Sequence, residues 1–118
     1  MIFAYACGFG SGFFSIDISD RSNPRRVGFA DLTWDAYGMD VSGIYAFVAD
    51  NAEPGIAAGK VWVVDISNPS APAEEAVYNT TQNVNDVMVR GGYLVLATGS
   101  LGYSGVGGIE ILSVECGP

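Results

Sequence analysis

The sequence contains no histidine. That absence removes the most usual general acid–base side chain and the usual partner of a nucleophilic serine. It also thins the supply of transition-metal ligands, leaving Cys7 and Cys116 as the only thiolate donors. Basic residues are scarce too: 5 Lys+Arg stand against 13 Asp+Glu, a formal charge of −8. Gripping a phosphate backbone needs a basic footprint, so this balance argues against nucleic acid and against docking on an anionic membrane. No apolar run approaches the roughly 20 residues of a membrane-spanning helix, and no span is expected. The opening MIFAYACGFG is apolar but lacks a basic segment and runs straight into strand-like sequence. It does not read as a secretory leader, and AYAC at residues 4–7 makes a poor lipoprotein cleavage site. If the full protein is exported, its signal is expected outside this chain.

What is present is apolar and rich in glycine. Hydrophobic residues make up 49% of the 118 positions and glycine occupies 16, a composition suited to short strands joined by tight turns. Residues 61–72, VWVVDISNPSAP, form a β-branched and aromatic run that stops at Asp, Ser, Asn and Pro. Residues 13–24, FFSIDISDRSNP, are a relative of it. Asp17 and Asp65 lie 48 positions apart, as do Pro24 and Pro72, and Gly43-x-Tyr45 and Gly91-x-Tyr93 keep the same offset. Residues 61–64 fall on 109–112 at that spacing once more. One offset held through independent matches marks an internal repeat.

Each unit reads as up to four strands. The complete one spans residues 34–81, with strands at 36–41, 45–49, 60–66 and 73–78, a tight turn at Ser42-Gly43 and a loop at 50–59. The first unit, 1–33, has strands at 3–7, 13–18 and 26–30. The third, 82–118, has strands at 84–89, 93–98 and 109–114. About four strands per 48 residues fits the size of a propeller blade. The expected fold is therefore all-β, a partial β-propeller of about two and a half four-stranded antiparallel blades. Propellers close with four or more blades. The expectation is thus a fragment of a larger gene product, the alternative being copies that assemble to complete the ring.

In 61–66 both alternating sets of side chains are apolar, which predicts a strand covered on both faces, with Trp62 buried between blades. Residues 13–18 follow suit apart from Ser15. In the third copy Glu110 replaces Trp62, which predicts an outer blade face without a covering neighbour.

The pattern Gly43-x-Tyr-Ala-Phe-Val-Ala-Asp50, a glycine loop, then Val61-Trp-Val-Val-Asp-Ile-Ser-Asn-Pro69 and Pro72, resembles the LVIVD repeat. The resemblance covers essentially the whole chain. It is best in the middle unit and departs at the end, where the copy reads EILSVECGP and lacks the Asp and the Asn-Pro. It implies a β-propeller and a bacterial or archaeal surface or secreted protein, hence an extracellular or cell-surface location. The family has no widely established catalytic motif, so no active-site residue carries over.

Candidate sites are few. Asp17, Ser19, Asp65, Ser67 and Asn68 read as turn chemistry, since short polar side chains cap backbone N–H groups where a strand ends. Pro24, Pro69 and Pro72 then block continuation. Asp50, Asn51 and Glu53 offer oxygen ligands for a weak Ca²⁺ loop, without EF-hand spacing. Asp31, Asp35 and Asp40 flank the connection between units and read as solvated acids. The glycine loops at 8–12 and 99–108 open no helix and contain no Lys, so they do not cradle phosphate. Tyr103 stands at such a loop as a recognition residue. Cys7 and Cys116 fall at strand ends on opposite rims, and no bond between them is expected. The leading expectation is a non-enzymatic scaffold that binds protein or glycan through rim loops, with no cofactor. The alternatives are part of a lactonase- or quinoprotein-like propeller enzyme with its chemistry in other blades, or a Ca²⁺-stabilised adhesion module.

Overall fold

Short runs of β-branched and aromatic residues, each cut off by Gly, Asp, Ser or Pro, form ten strands among the described residues of a computed structural model. The structure describes residues 2–8, 12–31, 35–51, 59–99 and 107–113. The first sheet is built in the order β1 (Phe3–Gly8), β2 (Gly12–Asp17), β3 (Arg25–Ala30). The central sheet runs β4 (Asp35–Ser42), β5 (Tyr45–Asn51), β6 (Gly59–Asp65), β7 (Ala73–Thr80). The third runs β10 (Gly108–Ser113), β9 (Tyr93–Thr98), β8 (Val84–Arg90). Every pairing is antiparallel between sequence neighbours, and no helix occurs among the described residues.

Two hairpins show why their glycines are there. Gly43 takes φ +61° between β4 and β5, ahead of Ile44, the arrangement of a II′ turn. Between β8 and β9, Gly91 and Gly92 take φ +56° and +83°, the two positive values of an I′ turn. Such turns match the twist of the strands they join, and an L side chain at any of these three positions would be strained.

The central sheet lies between the other two, and the alternation of its strands divides its side chains between two cores. Ala46 and Val48 of β5, with Val64 of β6 and Ile66, pack with Phe13 and Ala30 of the first sheet. Phe47 and Ala49 of β5, with Val61 of β6, pack instead with Val84, Val87, Leu94 and Leu96 of the third. Both faces of β5 and β6 are therefore covered, which is why these strands are apolar on both sides. β7 is the exposed edge, with only Thr80 buried.

Several expectations change. Strands reach further than the sequence punctuation implied: Asp50, Asn51 and Gly59 pair in β5 and β6, and Asn51 sits opposite Gly59. Trp62 is only half-buried, packed against the first core rather than enclosed between sheets. Its neighbours Val61 and Val64 are the fully buried residues of β6. Ser15 is fully buried, its hydroxyl without a hydrogen-bond partner. The largest change concerns Glu110. It points to the covered side, where Tyr78 Oη donates to its Oε1 at 2.9 Å, while Leu112 beside it packs on the second core. The uncovered face of β10 carries Ile109 and Ile111, 73% and 64% exposed. A carboxylate tolerates this side because its bond to Tyr78 remains in contact with solvent.

Candidate functional site

The repeated Asp–Ser pair closes matching turns. Asp17 Oδ1 accepts from the Ser19 amide at 2.9 Å, and Asp65 Oδ1 from the Ser67 amide at 2.8 Å. A second link follows three residues on. Asp20 Oδ1 accepts from the Ser22 amide at 3.0 Å and hydroxyl at 2.7 Å, and Asn68 Oδ1 from the Ser70 amide at 3.1 Å. The backbones agree as well, with Asn23 N–H donating to Asp20 C=O and Ala71 N–H to Asn68 C=O, each at 3.0 Å. These are Asx turns, in which a short side chain supplies the acceptor that the ending ladder no longer supplies. Asp20 and Asn68 stand in register in the two copies; that alignment was the signal for the second link, and reading only the Asp–Ser pair misses it.

Hydrogen bonds to the charged form set the acidity of these carboxyls. The Ser19 amide, then the Ser19 hydroxyl, hold Asp17 below the usual carboxylate value, with Arg25 at 3.8 Å adding a smaller Coulombic pull. The Ser67 hydroxyl and amide lower Asp65, and the Ser22 hydroxyl and amide lower Asp20. The carboxylates of this motif are thus bound to the chain's own N–H and O–H groups.

The turn after β6 also reaches across to the first sheet. A Cβ on Gly28 would lie 2.2 Å from the Pro69 carbonyl oxygen and 2.8 Å from Pro72 Cδ, so the Asn68–Pro72 segment seats directly on the β3 backbone. Only a glycine permits that approach. Nothing local to residue 28 announces it.

At the other end of the central sheet lie Asp50 and Asn51. Asp50 is 2% exposed, and its Oδ2 accepts from Trp62 Nε1 at 2.8 Å, with Lys60 Nζ 5.5 Å from the centroid of the same indole. Asn51 Oδ1 accepts from the Val84 amide at 2.8 Å in a buried link between the central and third sheets. These two oxygens, read from sequence as cation ligands, already hold hydrogen bonds; Glu53 lies outside the described residues. Asn83 and Asn85 flank Val84, and each buries a side-chain carbonyl without a partner. Among the described residues no three His, Cys, Asp or Glu side chains gather as a metal would require.

Asp40 is placed between sheets rather than in solvent alone. Its Oδ2 accepts from the Val89 amide at 2.8 Å and lies 3.4 Å from Arg90 Nη1. Asp31 is exposed. The side chain of Asp35, Tyr103, Cys116 and the loops at 9–11, 52–58 and 100–106 lie outside the described residues. Cys7 is a free, half-buried thiol whose pKa is raised by burial, the opposite of an activated nucleophile. Tyr45 borders the second core, and Tyr93 is 55% exposed beside the Gly91-Gly92 turn. Pro24 lines an open hollow with Phe14, Ile16 and Arg26.

A protein-family model described as the LVIVD repeat matches residues 3–31 and 35–80. No curated protein and no solved structure matches the chain.

Proposed function

The chain belongs to the LVIVD repeat family, and from that premise we propose that it is a β-propeller-type module working as a non-enzymatic binding scaffold at the cell surface or outside the cell. Its three sheets are read as successive blades of an arc with a 48-residue unit, at 1–33, 34–81 and 82–118. The observation that carries this reading is where the motif's polar groups go. Asp17, Asp20, Asp65 and Asn68 serve turn amides and hydroxyls, and Asn51 and Asp40 tie one sheet to the next. Side chains spent on holding the stack rigid leave recognition to loops, where rigid scaffolds commonly carry it. Protein or glycan is the ligand class such loops serve, and the charge of −8 favours partners that are neutral or basic.

The test is saturable binding to immobilised extracellular proteins and glycans, repeated with residues 100–106 replaced by an equal-length Gly-Ser segment. Retention by the wild type and loss in the loop variant, at an unchanged thermal midpoint, is the expected result. Turnover of a lactone or another small substrate by the purified chain would sink the scaffold reading. Cations form no part of it, so unfolding in EDTA and then in added Ca²⁺ is expected to give one midpoint.

A further inference from the structure

Two sheet faces of the molecule carry apolar side chains that nothing among the described residues covers. On the first sheet they are Phe14 and Ile16 of β2 with Phe29 of β3, the last 48% exposed. On the third sheet they are Ile109 and Ile111 of β10 with Met88 of β8, exposed by 73%, 64% and 42%. An uncovered apolar face of this kind marks an interaction surface.

Both junctions inside the molecule follow one rule. Phe13 of β2 faces forward onto the central sheet, where Trp62 and Val64 of β6 face back to meet it. Val61 and Val63 of β6 face forward in turn, and Leu112 of β10 faces back with the second core. A forward face always meets a backward face. The two free surfaces are one of each kind: the backward face of β2 and the forward face of β10. A second copy of the chain therefore brings to each the type of surface that covers its counterparts inside.

Each free face also has its own local features. Arg26 lies on the backward face, its guanidinium 5.0 Å from the Phe14 ring centroid and 5.9 Å from that of Phe29. On the third sheet an open hollow of about 190 Å³ is lined by Met88, Val95, Ala97 and Ile109 together with the acidic Asp86. The Asp86 carboxylate itself packs against Gly38 of β4 and accepts from the Val87 amide, so the match between the two free faces is one of apolar surface and of facing direction. Two copies would stack six sheets, inside the range of four to eight blades in which propellers close. A two-fold ring satisfies both contacts at once, because each copy's backward face meets the other's forward face.

We propose that two copies of this chain join head to tail, the Phe14–Ile16–Phe29 face of each on the Ile109–Ile111–Met88 face of the other, into a closed ring of six sheets. The proposal rests on reading the sheets as propeller blades. Sedimentation equilibrium of the full chain is expected to give twice the chain mass. The doubly substituted Ile109→Asp/Ile111→Asp chain and the Phe14→Asp/Phe29→Asp chain are each expected to be monomers with native near-UV circular dichroism. Mixed one to one, they should regain a two-chain particle, since one intact contact remains between them. A wild-type monomer with native near-UV signal overturns the pairing while leaving the stacked sheets standing. A two-chain particle that survives blocking of either face, open-ended polymers, or a mixture that stays monomeric overturns it too. Loss of the near-UV signal in the wild type would strike at the blade reading beneath it.

Discussion

The two junctions flanking the central sheet are built from the same repeat yet held by different means. Among the described residues the first is chiefly a matter of shape: Phe13, Ala30, Ala36, Ala46, Val48, Val64 and Ile66 interlock, and the Pro69–Pro72 turn presses onto Gly28. The second adds directed polar ties to a comparable apolar cluster. Val84 N–H reaches Asn51, Val89 N–H reaches Asp40, and Tyr78 reaches Glu110. Dispersion and area burial do not fix an angle closely, whereas a 2.8 Å hydrogen bond between backbone and side chain does. The turn that locks the first junction carries Ser-Asn-Pro at residues 67–69, where residues 115–117 read Glu-Cys-Gly. Polar pins at the second junction hold the third sheet by other means.

Truncating the first core tests this contrast most severely. Phe13→Ala removes a fully buried ring and is expected to cost about 3–5 kcal/mol in urea unfolding. Asn51→Ala strikes the second junction, orphaning the buried Val84 amide at about 1–3 kcal/mol. Gly28→Ala should cost a similar 1–3 kcal/mol, roughly the scale of overpacking, because its Cβ meets a backbone oxygen and a proline ring that cannot swing away. Gly108→Ala is the control for it. There the nearest atom is Thr98 Oγ1, 3.5 Å from the added Cβ and in ordinary contact, so about half the Gly28 penalty or less is expected. Equal costs at the two glycines would mean that the turn is no lock. Glu110→Gln should shift stability by about 0.5 kcal/mol or less, since its bond to Tyr78 is exposed.

Much of this fold was legible because strand and stop are written locally. The β-branched run of 61–65 and the Asp-Ile-Ser that ends it need no distant partner to be read, and the double-sided apolar pattern of β6 correctly announced a strand covered on both faces. Direction across the stack was another matter. Alternation separates Glu110 and Leu112 from Ile109 and Ile111 but does not say which set faces a neighbour, and polarity pointed the wrong way. Offsets within a strand were hidden too, as register shifts at Val63/Val64 and Val84/Asp86 leave no mark in composition. Gly28, Asp40 and Asn51 matter through partners 33 to 49 residues away or on another sheet, and no local pattern encodes that. The candidate site was legible as turn chemistry at Asp17 and Asp65, and illegible where its residues join sheets.

The smallest expected effect concerns the paired turns and is read along the pH axis. Asp17, Asp20 and Asp65 all titrate below the ordinary carboxylate value when folded, so the unfolded chain binds more protons as acid is added. Their contribution is fully present above the unfolded carboxylate pKa of roughly 4 and fades as pH falls through the lower folded values. Urea midpoints followed from pH 6 downward should therefore hold level and then decline on the acid side. Ser19→Ala and Ser67→Ala each remove a hydroxyl that steadies the charged form but leave the amide in place, so each should flatten that decline without abolishing it. The two copies are predicted to differ in salt. Asp17 has Arg25 at 3.8 Å, whereas Asp65 is lowered by Ser67, so raising ionic strength should shift the acid branch assigned to the first turn and leave the second almost unmoved. Equal salt sensitivity in the two serine variants would erase the difference between the turns.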